Sequence, residues 1–219
     1  SMRVESRDGS WITPPGRACW IPSAAAHSVT YTQPSEMQTV FIAPELLDNL
    51  PMRCCVITLT PLLRELVTHA VAINNQYALH GPEHRLMQVL VDQISIAKQA
   101  PLFLPEGRDS RLRRVTERLH QSPGDDRNIE EWAQIAGASA RTLARLFQKE
   151  TGMTFSAWRQ QLCLIRAVEM LTEGISITNI ALTLGYESTA GFTSMFTRSM
   201  GESPSNYLTR WSQEKPASR

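Results

Sequence analysis

A repeat in the C-terminal half of the chain constrains the fold more than any other feature. Two sets of apolar residues, 48 positions apart, share the spacing i, i+3, i+4, i+7 and run into a glycine. They comprise Ile129, Trp132, Ala133 and Ala136 before Gly137, and Ile177, Ile180, Ala181 and Leu184 before Gly185. Apolar residues at this spacing form one buried stripe of an α-helix. Each set therefore predicts a short amphipathic helix that ends at its glycine.

A second amphipathic segment follows each glycine. Its apolar residues are Leu143, Leu146 and Phe147 in the first copy, and Phe192, Met195 and Phe196 in the second. A helix, a glycine turn and another helix form the helix-turn-helix pattern, whose second helix enters the DNA major groove. The copy that begins at Ile129 is here called unit one and the copy that begins at Ile177 unit two. Together they predict a chain that reads two adjacent grooves.

The outward face of the second helix in unit one supplies the first candidate DNA contacts. Ser139 is the expected cap of this helix, which we predict to run to about Glu150. The candidates are Ser139, Arg141, Thr142, Ala144, Arg145 and Gln148. Arginine guanidinium groups can bind guanine edges or phosphates. The alternative is a solvated helix face that binds nothing.

The corresponding face of unit two carries no charge in its first two turns. Its candidates are Ser188, Thr189, Ala190, Thr193, Ser194 and Arg198. Small and hydroxyl side chains can contact thymine methyls or form hydrogen bonds with low discrimination, and Arg198 is placed to contact phosphate. We therefore expect unit one to specify the sequence and unit two mainly to position the protein.

Helical signals also surround the two units. A helix is predicted from Leu112 to His120, with Pro123-Gly124 as the signal that ends it. Asn128 with Glu131 forms a capping-box signature before the first repeat. A long helix from Ser156 to Glu173 is predicted to join the units, with Gly174 after its end. Gly201 with Pro204 is predicted to end unit two. Residues 109–219 are thus predicted to form an all-α DNA-binding domain.

Residues 1–100 are predicted to form a different, mixed domain. Short apolar runs separated by Pro14-Pro15-Gly16 and Pro22-Ser23 predict strands within residues 1–50. These runs are Trp11–Thr13, Ala18–Ile21, Val29–Thr32 and Met37–Ala43. Two apolar stripes predict a helical hairpin over residues 61–99, with breaks at Asn74-Asn75 and Gly81-Pro82. Residues 101–108, with two prolines and a glycine, are predicted to be a linker.

Charge, cysteine content and hydropathy limit the classes of protein to which this chain can belong. The net charge is only +1, but 12 of the 14 basic residues after residue 108 are arginine. Any DNA-binding charge must therefore be focused on one face. The four cysteines lack metal-ligand spacing and are interpreted as reduced thiols of a cytoplasmic protein. No stretch is apolar enough to span a bilayer, and no secretory signal is found.

The residues of the C-terminal half resemble the AraC/XylS family of bacterial transcription regulators, over Asp109 to Tyr207. The resemblance rests on segments 138–147, 150–152, 180–188 and 192–198, and on Gly201-Glu202-Ser203-Pro204. It implies a sequence-specific regulator, activator or repressor, that binds double-stranded promoter DNA and contacts RNA polymerase. It also implies a homodimer, control by a small-molecule effector or by dimerisation, and neither enzymatic activity nor a cofactor.

The N-terminal half resembles the later strands of that family's cupin-like barrel. The matching segments are Pro14-Pro15-Gly16, Trp20-Ile21-Pro22 and His27-Ser28-Val29, and the hairpin resembles the family's dimerisation helices. Because family members have several strands before this point, the resemblance implies that the first part of the barrel is lacking. Cys163 stands where the family often has arginine in the joining helix. Ala190 and Ser194 stand where its base-reading residues are commonly polar or basic.

Two alternative functions compete with a regulator. Cupin barrels often hold metal on histidines, so one alternative is a cupin-type metal-dependent enzyme. Only His27 lies in the barrel-like part, and one histidine cannot complete a site that needs three or four ligands. The other alternative is a protein-interaction module built on the helical repeat, with an arginine face that binds no DNA.

Overall fold

The structure is a computed structural model that describes residues 2–6, 9–14, 16–23, 25–31, 37–43, 50–73 and 77–214. The strands of the described part form two antiparallel sheets. The first has the order β4-β1-β2-β7 and comprises β1 (Met2–Ser6), β2 (Gly9–Thr13), β4 (His27–Tyr31) and β7 (Phe103–Pro105). The second has the order β3-β5-β6 and comprises β3 (Arg17–Trp20), β5 (Cys55–Thr58) and β6 (Gln99–Ala100). Helices follow, so the chain combines a partial β segment and a hairpin with an all-helical C-terminal half.

The strand predictions were correct for three runs and wrong for the fourth. The runs at Trp11, Ala18 and Val29 lie in β2, β3 and β4. Met37–Ala43 forms no strand, because no strand of the described part pairs with it. Val40 and Ile42 still pack against a small core, whereas Phe41 is 93% exposed. Strands β1, β5, β6 and β7 were not predicted, and the last three lie beyond the predicted limit at residue 50.

The segment predicted to be a linker contains β7 and is anchored in the first sheet. Leu102 and Leu104 are buried, and Phe103 stacks on Trp11 with ring centroids 4.6 Å apart. Pairing of β7 with β2 brings the carbonyl of Leu104 next to Gly9, where a Cβ would lie only 2.3 Å from that oxygen. The burial of Leu102 and Leu104 therefore stabilises this segment against the sheet, although its prolines had indicated a linker.

The helical hairpin forms as predicted, with a shorter second helix. It consists of α1 (Pro61–Ala72) and α2 (Pro82–Ser95), and residues 99–100 belong to β6 instead. Thr60 caps α1 by accepting a hydrogen bond from the backbone N–H of Leu63. Leu63 and Leu90 are buried in a small core with Ile57 of β5. This core joins the hairpin to the second sheet.

Seven helices are described after residue 109. They are α3 (Ser110–Gln121), α4 (Ile129–Ala136), α5 (Ala140–Thr151), α6 (Phe155–Thr172), α7 (Ile177–Thr183), α8 (Thr189–Met200) and α9 (Pro204–Glu214). The predicted joining helix matches α6 within one residue at each end. Helix α6 packs against α5, α7, α9 and β7, and residues 162–165 are all buried. Its central position explains why none of residues 162–172 is fully exposed.

The two helix-turn-helix units end their first helices in the same way. Gly137 and Gly185 have left-handed φ angles of 70° and 75°. In each turn the glycine N–H donates three residues back and the next N–H donates five residues back, to Ala133 and Ala181 respectively. This pair of bonds is the Schellman motif. The local geometry therefore repeats along with the sequence.

Helix α9 was not predicted, because Pro204 was interpreted only as the end of unit two. Proline is also common in the first turn of a helix, and the Ser203 hydroxyl caps this one by accepting from the Asn206 N–H. Tyr207 is buried, with its ring 5.8 Å from that of Phe196. Helix α9 thus completes the core of unit two.

A few sequence predictions fall outside the described residues, namely those at Pro15, Thr32, Asn74-Asn75 and residues 215–219. The helices of the described part include none with the length and apolarity needed to cross a membrane.

Candidate DNA-binding surface

Helix α5 presents one buried face and one exposed face. The Ser139 hydroxyl caps it by accepting from the Thr142 N–H at 3.2 Å. Leu143, Leu146 and Phe147 are buried, and the Phe147 ring lies 5.4 Å from that of Phe155. The predicted helical phase is therefore correct. The opposite face is necessarily turned away from the core.

The exposed face of α5 carries the candidates predicted for unit one. Arg141, Ala144, Arg145 and Gln148 are exposed, and Thr142 is half-buried. Neither arginine forms an ion pair within the described part of the chain. Two unneutralised guanidinium groups one turn apart make a local positive patch that suits phosphate oxygens or guanine edges.

Three of these candidates already have intramolecular partners. The Ser139 and Thr142 hydroxyls lie 2.9 Å apart, so they share a hydrogen bond at the helix start. Gln148 Nε2 donates to the Gly152 carbonyl at 3.3 Å. These contacts stabilise the helix ends, and DNA would have to compete with them. Arg141 and Arg145 have no ion-pair partner among the described residues, so DNA would not have to displace one.

Helix α8 buries the corresponding face, but its exposed face carries no charge in the first two turns. Ser188 caps it by accepting from the Gly191 N–H at 3.1 Å. Phe192, Met195 and Phe196 are buried, as predicted. The candidates divide into exposed Ser188, Ala190, Ser194 and Arg198, and half-buried Thr189 and Thr193. The structure places the candidates of each unit together at one helix. That these residues contact DNA stays a prediction.

The arginine of α8 differs in position from those of α5. Arg198 lies in the last turn, is exposed, and has no ion-pair partner in the ranges that the structure describes. A cation in this turn interacts favourably with the helix dipole. Base contacts are usually made by residues near the start of a recognition helix, and Arg198 lies about two turns beyond that start.

Contacts between α6 and the first sheet were missed by sequence reasoning. Trp158 Nε1 donates to the Pro105 carbonyl at 2.8 Å, and Gln161 Nε2 donates to the Phe103 carbonyl at 3.0 Å. Glu169 is 3% exposed and accepts from Arg3 Nη2 at 2.9 Å. The only available signal was a glutamate at a position of α6 that the helical phase buries.

The residues described offer little support for a metal site. No group of three or more histidine, cysteine, aspartate and glutamate side chains in these ranges could hold an ion. His27 is exposed on β4, and its Nδ1 lies 2.8 Å from the Ala25 carbonyl. Burial raises the pKa of the Cys19 thiol to about 12 and that of Cys163 to about 11. Such thiols stay protonated at neutral pH and are poor ligands and nucleophiles.

Comparisons with known proteins agree with the helix-turn-helix geometry. The sequence model of a protein family described as a helix-turn-helix domain matches residues 132–210. The HTH-type transcriptional regulator NimR of Escherichia coli (strain K12) is 36% identical over 208 residues, which cover 95% of this chain and 76% of NimR. The HTH-type transcriptional regulator RipA of Corynebacterium glutamicum is 40% identical over 108 residues, 48% of this chain and 31% of RipA.

A solved structure is similar over the C-terminal half. It is the DNA-binding domain of AdpA in complex with a target DNA, 24% identical, with a TM-score of 0.47 over 50% of this chain and 100% of that one. The family assignment rests on the sequence match to NimR, which is long and covers most of both proteins. The chain therefore belongs to the AraC/XylS family of helix-turn-helix, DNA-binding transcriptional regulators.

Proposed function

We propose that this regulator binds an asymmetric promoter site with its two units in adjacent major grooves. The observation that carries the proposal is the duplicated helix-turn-helix, α4–α5 and α7–α8, held on the single helix α6. Tandem units on one chain are not related by a two-fold axis, so a monomer does not require a palindrome. The two contacted segments should lie about one helical turn, roughly 34–36 Å, apart on one DNA face.

Within this site, unit one supplies most of the sequence discrimination. Its exposed face carries Arg141 and Arg145 within the first two turns of α5, and neither has an ion-pair partner among the described residues. The face of α8 offers methyl and hydroxyl groups at Ala190 and Ser194, which discriminate weakly between bases. Arg198 and the capped helix starts contribute phosphate contacts.

Control passes through the N-terminal half. The first sheet is bound to α6 through Trp158, Gln161 and Glu169, and α6 supports both units. A cavity of about 1040 Å³ lies between Trp11 and Phe103 on one side and the end of α5 on the other. A small-molecule effector in this region, or a dimer partner on the hairpin, would change how the sheet sits against the units.

The remaining expectations follow from this role. Leu62 of α1 and Val89 of α2 are exposed on the hairpin and are available to a second copy of the chain. Promoter-bound protein would contact RNA polymerase. Because promoters lie on the chromosome, we expect the protein to act in the cytoplasm. The named relatives are transcriptional regulators, so we assign no enzymatic activity.

Footprinting and a salt titration test the proposal. A site selected from random duplexes should show protection of two segments one turn apart; protection of a single groove would contradict the two-groove arrangement. Arg145→Ala should lose about 1–3 kcal/mol on the selected site and relax the preference at one position. Arg198→Ala should weaken selected and scrambled duplexes alike and lower the salt slope by about one unit.

A matched control is available in Arg113, which is exposed on α3 and paired with Glu117. Arg113→Ala removes the same charge from a face outside both units and should change the preference at no position. If Arg145→Ala lowers both affinities by the same factor, Arg145 is a phosphate contact and the reading by unit one rests on Arg141.

A further inference from the structure

The loop between α3 and α4 touches the turn of the other helix-turn-helix unit. A Cβ placed on Gly124 would lie 2.4 Å from the Thr183 carbonyl oxygen and 2.9 Å from the Gly185 nitrogen. A Cβ placed on Gly185 would lie 2.5 Å from the Gly124 carbonyl oxygen. Real Cβ atoms essentially never come closer than 3.0 Å. The two backbones are therefore in direct contact, with no side chain between them.

The two glycines are required for different reasons. Gly185 has a φ of 75°, so its turn needs glycine whatever its surroundings. Gly124 has no such left-handed φ. The absence of a side chain at Gly124 is therefore explained by the close approach alone. Replacing Gly124 with alanine tests the contact without adding backbone strain.

The same loop is also fastened to the central helix. The Cys163 thiol of α6 is buried and donates to the Pro123 carbonyl at 3.6 Å. Burial raises the pKa of Cys163 to about 11, so its S–H donor is present at neutral pH. Pro123 is buried as well. The loop that leads into unit one is thus held by α6 on one side and by the turn of unit two on the other.

A contact off the axis of α6 restrains the units in a way that the helix alone does not. Units joined only through one helix can tilt and rotate about it when side chains repack. Direct backbone contact removes that freedom, because backbone atoms cannot move aside by changing rotamer. Alanine at Gly124 would have to move about 1 Å from the Thr183 oxygen to reach the 3.4 Å of ordinary contact.

We infer that the contact of Pro123-Gly124 with Thr183–Gly185, here called the inter-unit contact, sets the spacing and angle between the two units. It thereby determines which half-site spacing the protein accepts. This inference rests on the proposed binding to two adjacent grooves. One additional base pair rotates the second half-site by about 35° around the DNA axis. Gly124, Gly185 and Cys163 are then positioning residues for recognition, although none of them is expected to touch DNA.

The repeat itself provides a matched control. Gly137 occupies the position in unit one that Gly185 occupies in unit two, and has a similar φ of 70°. A Cβ on Gly137 meets only Arg114 Nη1, at 3.8 Å. Gly137→Ala therefore places alanine at a left-handed φ, as Gly185→Ala does, and adds comparable backbone strain. Unlike Gly185→Ala, it does not push one unit away from the other.

The experiment measures affinity as a function of spacing, using the full chain and fluorescently labelled duplexes. The duplexes carry the selected site with its two half-sites moved by −1, 0, +1 or +2 base pairs, and a further duplex carries the unit-one half-site alone. Wild type and Gly137→Ala should share one optimum, with about a tenfold loss at one base pair on either side, comparable to losing one base contact. Gly124→Ala should lose about tenfold at that optimum and show a flattened or shifted profile. Its affinity for the half-site duplex should stay within about twofold of wild type.

Circular dichroism melting separates misfolding from repositioning. If Gly124→Ala is folded and keeps the wild-type profile, the inference is wrong. If Gly124→Ala does not fold, Cys163→Ala takes its place and should flatten the profile, and an unchanged profile overturns the inference. If wild type binds the half-site duplex as tightly as the full site, the proposed two-groove function fails, and the inference fails with it. That outcome is recognised in wild type, before any variant is compared.

Discussion

Replacing Glu169 with alanine should loosen the first sheet from the central helix. The Glu169 side chain is buried, and its carboxylate accepts from Arg3 Nη2 at 2.9 Å and from Arg166 Nη1 at 2.8 Å. Arg166 is three residues away on α6, but Arg3 lies on β1 at the other end of the chain. The substitution removes an acceptor that both cations share.

The magnitude follows from burial. Breaking a buried ion pair by removing one partner costs about 3–5 kcal/mol, because the remaining charge stays desolvated. The Arg3 and Arg166 side chains are 22% and 37% exposed, so both can regain water. We therefore expect a loss near the lower end, about 3 kcal/mol. A chain of this size loses about 2–4 °C of melting temperature per kcal/mol, which gives roughly 6–12 °C.

The exposed pair Arg113–Glu117 is the control, since its side chains are 61% and 60% exposed. Glu117→Ala should cost about 0.2–1 kcal/mol. Thermal melts at low salt and at 1 M salt provide the assay, and the Glu169 effect should persist because buried pairs are weakly screened. Arg3→Ala should lose part of the same free energy, and the Arg3/Glu169 double variant should be less destabilised than the two losses added together. A Glu169→Ala loss no larger than that of Glu117→Ala would refute the reasoning.

Three further predictions concern the core, the dimer and acid stability. Phe147→Ala and Phe196→Ala, at fully buried sites, should each cost about 3–5 kcal/mol in chemical denaturation, and unchanged unfolding midpoints would show that the helical phases are wrong. Light scattering should find a dimer that Leu62→Glu disrupts, and a wild-type monomer at high micromolar concentration would count against the hairpin interface. The side-chain hydrogen bond from Arg111 lowers the pKa of Asp109 to about 2, so its stabilisation is complete above the unfolded pKa of about 3.9 and is lost as the pH falls through about 2. Melts of Asp109→Asn between pH 5 and pH 2 should therefore show a shallower loss of stability than wild type.

The helical half was largely predictable because its signals are local. Capping side chains at Asn128, Ser139 and Ser188 each lie within three residues of the N–H that they accept from. Apolar spacing then set the buried face of each helix, and with it the exposed candidate residues. Helix α9 was missed although its signal is equally local, because a proline after a glycine was interpreted as an end only.

The strands were less predictable because their pairing is not local. Strand β7 pairs with β2 through Gly9 and Pro105, which lie at opposite ends of the N-terminal half. Nothing near residue 103 indicates that partner, whereas two prolines nearby favour an irregular segment. Strand formation depends on what a segment packs against, so a single sequence predicts it poorly.

The contacts that orient the units escaped prediction for the same reason. Gly124 was interpreted only as the end of a helix, and Gly185 only as the glycine of a turn. Their approach depends on α6 holding both units at one separation, which no periodic pattern encodes. Sequence therefore predicts which side chains face outward on each unit, whereas the relation between the units requires the folded chain.

Helix α6 contacts both the first sheet and the two DNA-binding units. It touches unit one through Trp158 and Phe147, holds the inter-unit contact through Cys163, and binds the first sheet through Glu169. A close-packed interior does not deform continuously, so a shift of the sheet moves α6 as a rigid body or leaves it in place. We therefore expect regulation to change the disposition of both units together. A spacing profile measured with and without the effector would distinguish this from a change confined to one recognition helix, which would alter base preference at a constant optimal spacing.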